Sequence, residues 1–172
     1  MGVKMLGVAA VVLVSGISSQ GRASADATLS QPEGPVILKI SGAITRTNAG
    51  DEAHFDRTML KALPQHSVYT GTPWTDQVYH YRGPLMRTLL AHVGTQGDQV
   101  HVAALNGYEA TIPIRDFDDH AVLLAMERDG EAMAIREYGP LWVLYPFDHD
   151  EALLSEKIRF RAVWQVMRMH VH

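Results

Sequence analysis

The sequence of 172 residues predicts a single α+β domain, rich in strands arranged in mixed sheets. Its 14 glycines and 8 prolines fall between short apolar runs, the distribution of a sheet-rich fold with many turns. Two dipeptides, Asn106-Gly107 and Asp129-Gly130, separate β-rich runs and mark hairpins. One stretch, carrying Leu85, Leu89, Leu90 and Val93, has the spacing of a helix buried on one side. A chain of this length suits one domain with one core. With 47% hydrophobic and 20% charged residues it is globular rather than disordered.

Each element has a local reason. Residues 36–41 are β-rich and broken by Gly42, so they read as a first strand, and residues 48–52 read as a turn. Asp56 can cap a short helix over residues 58–63 that Pro64 stops. Residues 67–71 form a second predicted strand, residues 72–74 a loop, and residues 78–82 a third strand closed by Gly83-Pro84. Gly94 ends the helix that follows. Residues 100–104 and 109–112 pair around Asn106-Gly107, and residues 122–126 and 132–135 pair around Asp129-Gly130. Residues 141–145 are a strand, 151–154 a brief helical turn, and 163–171 a closing strand.

The N-terminus has the outline of a secretory signal. Lys4 supplies the positive start, residues 5–16 an uncharged apolar run, and Ala23-Ser24-Ala25 a small-x-small cleavage pattern. The run is shorter than the roughly 20 residues of a spanning helix, which leaves an uncleaved anchor as the alternative. The expected organisation is a signal peptide over 1–25, a flexible mature N-terminus over 26–35, and a domain over 36–172, placed in the periplasm. Cleavage removes Lys4 and Arg22 and takes the formal charge from −4 to −6. An acidic domain is a poor nucleic-acid binder, because phosphate contacts need clustered cations. The chain has no cysteine, so an exported domain must hold its core without disulfides, and lipid attachment through cysteine is excluded.

Several motifs occur in a meaningful order. They are the run over residues 55–64 (FDRTMLKALP), the Trp74 loop, and residues 81–90 (YRGPLMRTLL). After these come Asn106-Gly107-Tyr108, residues 123–126 with Asp129-Gly130, residues 139–146 (GPLWVLYP), and Trp164. Taken together they resemble the sulfite-oxidase-type molybdopterin-binding domain family, from about Val36 to Val171. The resemblance implies a strand-rich mixed-sheet domain of sulfite-oxidase type that holds a molybdopterin. In that family a cysteine just before the tryptophan of the Trp74 loop ligates molybdenum. Here the matching positions are Thr70, Gly71 and Thr72, none of which offers a thiolate. Two further family cations are absent, at Trp142 in a Pro140-Leu141-Trp142 segment and at Val163 before the closing tryptophan. Charge is lost and an aromatic gained.

Pterins are flat heteroaromatic rings with a donor/acceptor edge, so aromatic faces can stack on them while polar groups read the edge. The candidate pterin-binding residues are Thr72, Trp74, Asn106, Tyr108, Arg136, Trp142, Tyr145 and Arg161. Several have a plainer reading. Trp142 and Tyr145 lie in an apolar run, the usual setting of core residues, as does Trp164. Arg82 and Arg136 can be surface ion-pair partners, and Asn106 a turn residue only. The resemblance points to a cysteine-free, exported branch in which pterin-binding proteins regulate a signalling partner. Arg161 and Trp164-Gln165 match that branch. No catalytic residue is assigned, and molybdenum is not expected.

Histidines 149, 170 and 172 lack the three or four converging ligands of a metal site. Asp116, Asp118, Asp119 and Glu127 occupy a polar turn region where solvated carboxylates are the default. The sequence therefore predicts a periplasmic, non-catalytic pterin-binding domain. Its partner is expected to be the periplasmic part of a membrane sensor or cyclic-dinucleotide enzyme. Its alternatives are a molybdopterin-dependent oxidoreductase that holds molybdenum without cysteine, and an interaction module with a vestigial pocket.

Overall fold

Eleven strands and four α-helices share one apolar core among the described residues of the computed structural model, which are 1–2 and 28–172. All of the predicted export signal except Met1 and Gly2 lies outside them. No described helix is long and apolar enough to cross a membrane.

The chain opens with β1 (Leu38–Gly42) and β2 (Ala53–Phe55), an antiparallel pair. Residues 29–34, expected to be flexible, are instead tied to this region. Leu29 is buried, Asn48 Nδ2 donates to Ser30 O, and the Glu33 and Gly34 amides donate to the Asp56 carboxylate at 2.8 Å. The same carboxylate caps α1 (Arg57–Ala62) by accepting from Met59 N at 2.8 Å, as its sequence position predicts. These amide donors favour the ionised form and hold its pKa below the ordinary aspartate value.

Next come β3 (Gln65–Thr70), β4 (Tyr79–Pro84) and α2 (Met86–Val93). Helix α2 buries Met86, Leu89, Leu90 and Val93 and ends at Gly94 in the left-handed region, φ 67°. β4 runs through Gly83-Pro84 rather than stopping before them. Gly83 is required there, since a Cβ would lie 2.0 Å from the carbonyl oxygen of Leu124. The hairpin of β5 (Gln99–Ala104) and β6 (Glu109–Pro113) turns on Gly107 at φ 83°. α3 (Arg115–Asp119), unpredicted, follows.

The second predicted hairpin is smaller than expected. Only β8 (Glu127–Arg128) and β9 (Glu131–Ala132) pair around Asp129-Gly130. β7 (Leu123–Ala125) pairs instead with β10 (Trp142–Leu144), and Ile135–Glu137 is a 3-10 turn. Both β7 and β10 are buried throughout, so this paired ladder runs through the core. Two further 3-10 turns, Phe147–His149 and Glu151–Leu154, lead to α4 (Glu156–Arg161), also unpredicted. β11 (Val166–Val171) closes the chain and begins three residues later than expected.

The principal sheet has the order β2-β1-β11-β5-β6, with β1 and β11 parallel and the other pairs antiparallel. A second sheet has the order β3-β4-β8-β9. The predicted α+β class with mixed sheets is the observed one. A register shift between Val166 and Arg168 lets β11 leave the sheet toward Trp164, which bridges back to Trp142. That excursion brings the chain's three tryptophans together.

Candidate functional site

Trp74, Trp142 and Trp164 come from a loop, a buried strand and the approach to the last strand. Trp74 and Trp164 meet edge to face, with centroids 5.0 Å apart, and Trp142 lies behind them at 6.0 Å and 6.3 Å. Tyr138, which the sequence reading missed, stacks on Trp142 at 4.8 Å, and its hydroxyl donates to Trp74 O at 2.8 Å. Its backbone is left-handed, φ 71°. The Trp74 loop is fixed further by Thr72, whose hydroxyl bonds Thr75 Oγ1 and accepts from Trp74 N.

In front of this cluster is a groove of about 330 Å³. Trp74, Trp164 and Ala162 form its inner wall, and Asn106 and Tyr108 at the β5–β6 turn form one side. The other side is α4, through Glu156, Arg159 and Phe160, three residues the sequence reading did not select. Their signal is faint: a short polar helix with one exposed phenylalanine resembles any surface turn. Arg159 also borders a second depression of about 350 Å³, with Thr72, Asp148 and Leu154 along it. The groove is within the size range of small-molecule sites and combines aromatic faces with a few polar groups.

The structure separates the predicted residues into three sets. Trp74, Asn106 and Tyr108 line the groove, and Thr72 lines the adjoining depression. Trp142 and Tyr145 are fully buried, so they support the site from the core and present no face to a ligand. The Trp142 indole instead donates to Ala162 O at 3.3 Å. Arg136 is 85% exposed and pairs loosely with Glu137, outside the groove lining.

Arg161 is also not in the lining. It is held by Asp116, whose Oδ2 accepts from Arg161 Nη1 at 2.6 Å and from the Tyr145 hydroxyl at 3.0 Å. This corrects the reading of Asp116 as a solvated carboxylate: it is 6% exposed and joins α3, the end of β10 and α4. Burial, reinforced by the adjacent carboxylate, pushes the Tyr145 phenol far above its usual pKa. Burial also pushes Tyr81 up to about 12, and its hydroxyl has no hydrogen-bond partner among the described residues.

The positions matched to a metal-ligating cysteine form a closed hydrogen-bonded corner. Thr70 is fully buried, its hydroxyl donates to Gly71 O at 2.8 Å, and it accepts from Asp148 N at 3.2 Å. Gly71 N donates to the Asp148 carboxylate at 2.5 Å. No group of three or more His, Cys, Asp or Glu side chains converges on a metal position among the described residues.

Fold and groove together define a mixed-sheet domain with an aromatic groove edged by Asn106, Glu156 and Arg159. The sequence matches the family described as the oxidoreductase molybdopterin binding domain over residues 48–147, and the chain belongs to that family. No curated protein sequence matches it significantly. Among solved structures it is similar to the sulfane dehydrogenase SoxCD from Paracoccus pantotrophus. The TM-score is 0.59 at 19% identity, over 78% of this chain and 37% of that one. At that identity the likeness concerns the fold, and the chain spans little more than a third of the SoxCD chain.

The family's cofactor has two parts, and the residues present fit them differently. The aromatic groove with Asn106, Glu156 and Arg159 suits a pterin ring. The donor set at residues 70–72 does not suit a molybdenum held by protein sulfur, because a threonine hydroxyl is neither soft nor anionic.

Proposed function

We propose that this chain binds a pterin in the groove between Trp74, Trp164 and α4, without a protein thiolate and without catalysing a redox reaction. One observation carries the reading: an aromatic groove with both a carboxylate and a guanidinium on its edge, in a molybdopterin-family chain devoid of cysteine. A pterin ring presents an amino group beside a ring N–H, a donor pair complementary to the two oxygens of Glu156. Arg159 is placed to donate to the ring carbonyl, and Trp74 and Trp164 supply apolar surface for the ring.

The protein is exported and its pterin-bound state is read by a membrane signalling protein. The signal-like pattern of residues 4–25 supports export, and the resemblance of Arg161 and Trp164-Gln165 to the cysteine-free, exported branch supports a sensory role. Binding can alter a partner only if the ligand favours one conformation of this chain over another. The test is titration of the purified mature protein with tetrahydrobiopterin, followed by calorimetry and by quenching of tryptophan fluorescence. Saturable one-site binding is expected. No heat and no quenching would sink the reading.

A further inference from the structure

Helix α4 is built differently from the rest of the fold. It buries none of its residues, whereas α1 buries Leu60, α2 four apolar side chains, and α3 Asp116 and Phe117. Its Phe160 is 57% exposed, and Leu154 just ahead of it is 48% exposed. Both ends are nonetheless fastened. Ahead of the helix, Leu153 is buried, Asp150 caps the preceding turn by accepting from Ala152 N, and Asp148 holds Gly71. Behind it, Arg161 is paired with Asp116, and Ala162 O accepts from the Trp142 indole. Between these anchors the helix is held by the half-buried Ile158 and by the Tyr108 hydroxyl, which donates to Phe160 O at 2.7 Å.

We infer that residues 154–161 form a strap across the groove and are the element of this protein that responds to its ligand. The inference rests on the pterin reading above and names its regulation. The Trp74 loop does not serve that role, because its tryptophan contacts three aromatic rings of the core cluster and its carbonyl accepts from Tyr138. The strap supplies Glu156, Arg159 and Phe160 to the groove while leaving its outer surface free of the core. A ring bound against Trp74 and Trp164 adds contacts on the inner side of α4, the side with few internal ones. Ligand binding therefore orders the strap.

Hydrogen–deuterium exchange of the mature protein, with and without tetrahydrobiopterin, tests this alongside calorimetry on the same sample. With the ligand at ten times its dissociation constant, strap amides should exchange about ten-fold more slowly where opening releases the ring. Amides of β3, β4 and α2 should change little. Tyr108→Phe removes the hydrogen bond to Phe160 O without removing the ring, and should speed strap exchange in the free protein while the ligand restores protection. Calorimetric binding with slowing confined to residues 71–76 overturns the strap and leaves the pterin reading intact. Absence of binding heat overturns both.

Discussion

Replacing Asp116 by alanine removes the acceptor shared by Arg161 and Tyr145 and leaves both donors in a place that water scarcely reaches. The Arg161 side chain is 14% exposed, that of Asp116 9%, and Tyr145 is fully buried. Breaking a buried ion pair by deleting one partner costs about 3–5 kcal/mol, because the remaining charge stays desolvated. The residual exposure of Arg161 lets it recover some hydration, which places the expected cost near the lower end, about 3 kcal/mol. For a domain of this size that corresponds to a fall in Tm of roughly 6–12 °C. Urea unfolding followed by tryptophan fluorescence gives the free energy, and a double-mutant cycle isolates the pair. Asp116→Ala/Arg161→Met removes both charges and should lose less than the sum of the two single variants, with a coupling of about 2 kcal/mol. A cost below about 1 kcal/mol for Asp116→Ala, or strict additivity in the cycle, would show that the pair is solvated and the argument wrong.

The remaining predictions separate the site from its support. Trp74→Ala should weaken tetrahydrobiopterin binding about ten-fold or more, from ~1–3 kcal/mol per stacked ring, with stability less affected. Trp142→Ala should do the reverse and destabilise the fold by about 3–5 kcal/mol, as expected for a large side chain removed from a packed core; thermal melts and calorimetry on the two variants distinguish them. Glu156→Gln should weaken binding about ten-fold through loss of a charge-assisted contact, and equal affinities by calorimetry would remove Glu156 from the site. Because the folded-state pKa of Asp56 is depressed, its contribution to stability is complete above the ordinary aspartate range and disappears as pH falls through the folded value. Urea midpoints measured from about pH 5 to 2 should therefore fall less steeply in Asp56→Asn than in the parent protein.

What the sequence revealed was what its neighbours in the chain determine. The Asp56 cap, the Gly94 stop and the Asn106-Gly107 turn each depend on a few adjacent residues, and all three form as read. β7 was visible as a strand, but its partner was not, because the apolar faces of residues 123–125 and 142–144 find each other across a long separation. Asp116 is the clearest misreading. Among the acids around it, it looks solvated, and only donors 29 and 45 positions away make its burial tolerable. Trp142 and Tyr145 were selected for their chemistry, yet Trp142 lies in a strand buried throughout and Tyr145, just after it, is fully buried too. Helix α4 left little trace, since EKIRFR carries no apolar stripe, and so half the groove went unread. Trp74, Asn106 and Tyr108, chosen from the sequence, do line the groove, though Asn106 also serves the turn, its Oδ1 accepting from Tyr108 N at 3.0 Å.

The proposal that this molybdopterin-family fold holds a pterin ring without metal catalysis can be tested on the native protein. The most direct measurement is mass spectrometry and metal analysis of the native protein, purified from a host that makes the complete molybdenum cofactor. A co-purifying pterin close to one per chain is expected, with molybdenum far below stoichiometric. Molybdenum near one atom per chain would contradict it, and so would a protein that carries no pterin and takes up none when tetrahydrobiopterin is supplied.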